Sequence, residues 1–246
     1  MFLLKKKKIV IDAFTYNGHA EQFFKPAAAI DFVPDWWKTL SSSYTTRTDQ
    51  GIEIQVPTLK RCDGILELYK RGFVIPLWSD LIVETNGQGS LSYVWSETNG
   101  MNISGHDSKQ WDNKFQHLIN CKIRSPWFFE EKTGVNFYWS NPVWNNLVEF
   151  AEVNVLPGVV NFKHQKSSNF NFMFENKRRR YEFKHGHPLA HLIQLSDSNI
   201  QIKTHLISEQ EWDRKMIDSI TEFSFLGSYK KRSKMMETKK CPFNFR

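Results

Sequence analysis

Apolar and polar residues alternate from Lys8 to Tyr16, with Ile9, Ile11 and Ala13 on one side and Val10, Asp12 and Phe14 on the other. This period of two predicts a strand covered at least in part on both faces, and therefore one inside a sheet. The next stretch, Pro26 to Leu40, keeps no such period. It carries Phe32-Val33-Pro34-Asp35-Trp36-Trp37-Lys38, where the proline and paired tryptophans predict a turn anchored by large side chains. From Asp63 to Arg71 the apolar spacing becomes helical, with Asp63 as N-cap and Gly72 placed to end the helix in a left-handed conformation. A long strand, Phe73 to Thr85, follows directly. Asn86-Gly87-Gln88-Gly89 supplies the positive φ angles of a hairpin, and Ser90 to Ser96 returns.

Further strands are expected at His117 to Ile123, Val135 to Trp139, Glu149 to Val155 and Val159 to Phe162. Four more follow at Asn169 to Phe174, Arg180 to Phe183, Leu189 to Leu195 and Ile200 to Ile207. Alternation in Asn169-Phe170-Asn171-Phe172-Met173-Phe174 puts the three phenylalanines on a core face. Ser208-Glu209-Gln210-Glu211 is a capping box, and Trp212, Met216, Ile217 and Ile220 continue it at helical spacing over Ser208 to Glu222. Short strands broken by Gly, Pro and Asn predict a mainly β fold, a β-sandwich of jelly-roll type. With no internal repeat or low-complexity linker, residues 1–246 read as a single globular domain with a few short helices and a basic tail from about Ser228.

Composition changes that picture in two places. Nine Trp, 20 Phe and seven Tyr exceed an ordinary core's needs, so some are expected in grooves or interfaces. The formal charge of +7 favours anionic partners, and much of it lies in Lys5 to Lys8, Lys177 to Arg180 and the C-terminal run Lys230-Lys231-Arg232. Cys62, Cys121 and Cys241 show neither CxxC nor zinc-ligand spacing, so a reducing compartment is expected. Four lysines after Met1-Phe2-Leu3-Leu4 reverse the order of a secretory signal, and no run of about 18 apolar residues encodes a membrane span. The expectation is a soluble protein with no membrane partner.

Five segments together carry a resemblance. They are CDGILELYKRGFVIPLWSDLIVE (Cys62 to Glu84), KIRSPWFFEEKTGVNFYWSNP (Lys122 to Pro142), LPGVVNFKHQ (Leu156 to Gln165), GHPLAHLIQLSDSNIQIKTHLISEQEW (Gly186 to Trp212) and KKCPF (Lys239 to Phe243). In this order they resemble a family of uncharacterised proteins of large tailed bacteriophages and marine phage metagenomes, over most of the chain from about Pro34. The resemblance implies an origin, a phage product made in the cytoplasm of an infected bacterium. It implies no activity, cofactor or catalytic residue.

For chemistry, the sharpest candidate is His185-Gly186-His187-Pro188-Leu189-Ala190-His191, with His205 on the next expected strand. On a strand, His185, His187 and His191 share a parity, and imidazoles on one face of a jelly roll can hold Fe, Zn or Mn. The HxH resembles the opening of a cupin metal motif, but His191 takes the slot of the motif's Glu, and Gly186 and Pro188 suggest a turn that would spoil the shared face. His19-Ala20-Glu21, in an expected loop, matches half of a facial triad. Asp80 and Glu84 share a strand face as an acid and base pair would, or as partners of lysine. No nucleophile elbow, phosphate loop or dinucleotide fingerprint occurs.

Among the tryptophans, Trp78 and Trp139 are expected in the core, whereas Trp36, Trp37, Trp127 and Trp144 sit in Pro- or Asn-flanked loops and are the candidates for binding. The leading expectation is a non-enzymatic phage protein, a binding or virion-associated module without a cofactor and with protein partners of phage or host. One alternative is a metal-dependent enzyme on a cupin-like barrel using the histidines. Another is a nucleic-acid or polyanion binder using Lys177, Arg178, Arg179 and Arg180.

Overall fold

The computed structural model of the chain describes residues 8–96, 103–146 and 151–220, with side chains described as far as 215. In chain order the first elements are β1 (Lys8–Thr15), α1 (Gly18–Phe23), β2 (Ala27–Ala28), α2 (Asp35–Thr39), β3 (Ser43–Arg47), β4 (Glu53–Pro57) and α3 (Asp63–Tyr69). There follow β5 (Phe73–Pro76), β6 (Leu81–Asn86), β7 (Leu91–Trp95), β8 (Ile103–Gly105), β9 (Leu118–Glu131), β10 (Asn136–Ser140) and α4 (Val143–Asn146). The remainder comprises β11 (Asn154–Val155), β12 (Gly158–Asn161), β13 (Ser167–Glu175), β14 (Arg178–Phe183), β15 (Pro188–Gln194), β16 (Asn199–Leu206) and α5 (Glu209–Ile220). The basic tail, the Lys5 to Lys8 run before Lys8, and Cys241 lie outside the described residues.

Strands dominate, and they form a sandwich. One sheet runs β11-β13-β9-β1-β16, with β8 beside β9; the other runs β12-β10-β15-β5-β2. As its pattern requires, β1 lies inside its sheet, antiparallel to β9 and parallel to β16 from Lys8↔Asn199 to Thr15↔Leu206. That parallel pair departs from the antiparallel build of a jelly roll. It returns the end of the chain to the side of its first strand.

Between the sheets, Ile9, Ile11 and Ala13 of β1 and Phe170, Phe172 and Phe174 of β13 meet Phe73, Phe137 and Phe162. Ring centroids lie 4.9 Å apart for Phe129 and Phe162, and 5.4 Å for Phe137 and Phe162. Burying each such side chain contributes roughly 1.5–3 kcal/mol, and aromatic pairing adds about 0.5–1.5 kcal/mol. The outer face of β1 is covered at one end, where Phe14, Phe128 and Ile207 meet Trp212 of α5. Ser208 caps that helix, its hydroxyl accepting from Glu211 N–H at 3.1 Å.

Two local readings are corrected. Phe73 to Thr85 is two strands in different sheets, because Pro76 has no N–H to donate and the backbone of Leu77 instead exchanges hydrogen bonds with His187 and Gly186. Leu77 and Trp78 stay buried without pairing in a sheet, which is why the segment reads as continuous. At α3 the N-cap position is Cys62, which makes no side-chain cap, and Asp63 is the first helical residue. Gly72 does adopt φ +73°, and any Cβ there would fall 1.8 Å from the Leu192 carbonyl oxygen.

A third, three-stranded sheet, β14-β6-β7, contains the expected hairpin. Gly87 and Gly89 at its turn have φ of +75° and +84°. The β3–β4 hairpin, which the sequence pattern did not indicate, forms a separate two-stranded sheet.

Candidate binding surface

Alternation along β15 sets up the site. Ala190 and Leu192 pair with Ile75 and Phe73 and face the core, so His191 and its partner Val74 face outward. An outer layer covers part of that face: Val74 packs with Ile65 and Tyr69 of α3, Trp37 of α2, Ala29 and Val33. The rest of the face is open. A cross-strand row of Val159, Tyr138 and Ile193 runs over three strands, with Val159 59% and Tyr138 37% exposed.

Beside this row lies a groove of about 460 Å³, lined by Tyr138, Val143, Trp144, Val155 and Ile193 over a floor of Tyr69 and His191. Trp144 forms its wall and is joined to Trp36, whose Nε1–H donates to the Trp144 carbonyl at 2.9 Å with ring centroids 6.2 Å apart. Trp36 in turn lines a second apolar groove of about 640 Å³ with Leu40, Tyr44, Pro57, Leu59, Arg61 and Cys62. Tyr44 and Leu59 are about half exposed there. The two grooves thus share one aromatic wall.

Side-chain bonds brace its setting. Tyr69 Oη donates to Asn145 Oδ1 and its ring stacks on His191 at 5.8 Å, and burial pushes its phenol well above the usual range. Asn145 Nδ2 donates to the Phe32 carbonyl at 3.0 Å, tying α4 to the segment before α2. Arg61, exposed at the edge of the second groove, makes no ion pair among the described residues.

Of the four candidate tryptophans, the structure brings two to this surface. Trp36 and Trp144 lie on the short helices α2 and α4 rather than in loops. Trp37 is buried beneath them, its Nε1–H donating to Leu59 O and the Lys60 ammonium 4.2 Å from its ring. Trp127 is a correction: it sits fully buried in β9, with its indole donating to Phe24 O at 3.1 Å. The flanking proline misled, since Pro126 lies within a long strand whose apolar run continues on both sides. Trp78 is core as expected, whereas Trp139 is only partly buried, packed against the core with its ring 5.7 Å from that of Phe170.

The candidate metal ligands are held apart. His185 and Gly186 form a turn, with Gly186 at φ +77°, so the shared parity of His185, His187 and His191 is lost. His185 Nδ1 pairs with Asp80 at 2.7 Å and His205 Nδ1 lies 3.2 Å from Asp12 in the other sheet. His191 Nε2–H donates to the Arg71 carbonyl at 2.8 Å, and burial holds its imidazole below the usual range. His187 Nε2–H donates to Asn146 Oδ1 at 2.9 Å, and burial lowers it to about 4, leaving it neutral. Among the described residues no group of three His, Cys, Asp or Glu side chains is placed to hold a metal ion. His19-Ala20-Glu21 is on α1, not a loop, and Glu21 pairs with Lys25.

The basic strand β14 is neutralised by its neighbours. Lys177 pairs with Glu175, Arg179 with Glu152, and Arg180 with both Glu84 and Glu182, at 2.9 and 2.7 Å. Arg178 alone of these four makes no ion pair among the described residues. The arginines line an open hollow of about 810 Å³ together with Glu84. Glu84 is on β6 but Asp80 lies just before it, not on the same strand, and each is beside cations: Lys184 Nζ lies 3.3 Å from Asp80, whose backbone and side-chain bonds to His185 hold it below the usual carboxylate range.

Sequence reasoning missed Tyr138, Ile193, Val159, Tyr44 and Leu59. Strand parity separates Tyr138 from Phe137 and Trp139, but which outer faces lack a cover is decided by elements distant in sequence. In comparisons with known proteins, no family model, no curated protein and no solved structure matches the chain. Among the described residues no helix is long and apolar enough to cross a membrane.

Proposed function

We propose that this chain is a non-enzymatic binding module of a tailed bacteriophage, and that it docks an acidic, apolar segment of another protein onto the outer face of the β12-β10-β15-β5-β2 sheet. The observation that carries this reading is the open row Val159–Tyr138–Ile193 running into the Trp144–Trp36 wall. Contiguous exposed apolar surface with aromatic anchors is the composition of protein-binding sites. Charge selects the occupant. Arg61 at the rim makes no ion pair among the described residues and the chain carries +7, so a second copy would be repelled where a carboxylate-bearing partner is attracted. The resemblance to tailed-phage proteins supports the origin, and with it an infected bacterial cytoplasm, or the virion, as the place of action.

Neither alternative gains an observation of this weight. A cupin-like metal centre needs ligands that converge, and the four histidines have separate partners. A nucleic-acid interface needs cations free to meet phosphate, and three of the four on and beside β14 face carboxylates. The test is mass spectrometry of purified virions and of complexes isolated from infected cells. A partner should co-purify with the native chain, be lost with Tyr138→Asp, and persist with Val94→Asp on the three-stranded sheet. Absence from virions together with no partner sensitive to Tyr138→Asp overturns the reading.

A further inference from the structure

A separate pocket of about 440 Å³ lies on the opposite side of the first sheet, where the β6–β7 turn, the segment after β8 and the β13–β14 turn converge. Its size falls in the range of small-molecule sites, roughly 300–1,000 Å³. The walls are laced together in advance. Asn176 Oδ1 accepts from Gly89 N–H at 2.8 Å while its Nδ2–H donates to Gln116 O at 3.0 Å, and the His106 ring bridges Gln110 and Asn171.

Asn120 forms part of the base. It sits on β9 facing away from the core, paired with Met173, and is 3% exposed. Its Oδ1 is buried with no hydrogen-bond partner among the described residues. Such an acceptor carries a desolvation cost that a ligand hydroxyl would relieve. Trp111 lines the same pocket, half-buried, with its ring 6.2 Å from that of His106. Gln88 and Gln116 add carboxamides that bond to nothing among the described residues. Among the described residues no lysine or arginine lines the pocket, and its Asp107 carboxylate accepts from Lys109 N–H at 2.8 Å.

We propose that this pocket binds a neutral polyhydroxyl ligand, a saccharide. Trp111 offers a flat apolar face to the C–H side of a sugar ring. The amides of Asn120, Gln88 and Gln116 supply both donors and acceptors, as hydroxyls require. A phosphate or carboxylate ligand meets no lysine or arginine here among the described residues. The site shares no residue with the protein-docking surface, so either proposal can fail alone.

The test is titration of the full chain with maltotriose, cellotriose and chitotriose, and with adenosine as a non-saccharide aromatic probe, by saturation-transfer NMR and calorimetry. At least one trisaccharide is expected to bind at concentrations up to about 10 mM, as weak single-site recognition does. Trp111→Ala should weaken it about tenfold or more. Asn120→Leu, which removes the orphaned acceptor, should abolish binding while raising the thermal midpoint. Failure of all three saccharides to bind, binding of adenosine alone, or saccharide binding that both variants leave unchanged overturns the proposal.

Discussion

On and beside β14, Arg180 lies between Glu84 and Glu182 of its own sheet, and Lys177 and Arg179 each meet a carboxylate. On the outer face of the β12-β10-β15-β5-β2 sheet, Val159, Tyr138 and Ile193 meet no ionic or layered partner of this kind among the described residues, and the Trp36–Trp144 wall borders a groove on each side. Composition marks both regions for binding, one by charge and the other by aromatic content. The difference lies in what the fold brings opposite each. A strand's exposed cations gain partners cheaply from the next strand, at a cross-strand spacing of about 5 Å. An apolar row is covered only if a further layer reaches it, and α2 and α3 stop short.

The largest effect separates stability from binding. Trp127→Ala, in the fully buried position, should cost about 3–5 kcal/mol in a denaturant titration. Tyr138→Ala on the open row should cost within about 0.5 kcal/mol while removing the partner. A large loss of stability from Tyr138→Ala would place that residue in the core and break the contrast.

The next effect is acid. His187 is held down at about 4 by burial, against 6.5 for the free side chain, so its contribution is full above pH 6.5 and is lost as pH falls towards 4. That displacement corresponds to about 3 kcal/mol at most. Because His187 bonds Asn146 of α4, the element that carries Trp144, amide exchange should show α4 loosening before β14 as pH drops. His187→Gln should flatten the pH dependence. The smallest effect is on the charged strand. Glu84→Gln with Glu182→Gln frees Arg180, and should lengthen retention on a heparin column in a salt-sensitive way. If the native chain already elutes as late as this double variant, β14 is not neutralised.

Much of this fold is legible along the chain, because a strand buried on one face writes its period into the sequence: Ile9, Ile11, Ala13 and Phe170, Phe172, Phe174 are where alternation puts them. The parallel return of β16 beside β1 is not legible, since strand order depends on packing rather than on local pattern. Nor is the β3–β4 hairpin, whose residues are mostly exposed and keep no clean apolar face. At the site, Trp36 and Trp144 were visible as aromatics flanked by turn residues, but that same cue pointed wrongly to Trp127. What the sequence cannot carry is that no element among the described residues covers Tyr138 and Ile193, and the carboxylates that meet the arginines of β14 from Glu84 on another strand and from Glu152.

The most direct measurement is photocrosslinking in infected cells, with a benzophenone side chain placed once at Tyr138 and once at Val94, both exposed but on different sheets. The account predicts a discrete adduct from position 138 with a protein other than this chain, and none from position 94. Equal crosslinking from the two positions, or none from 138, would contradict it.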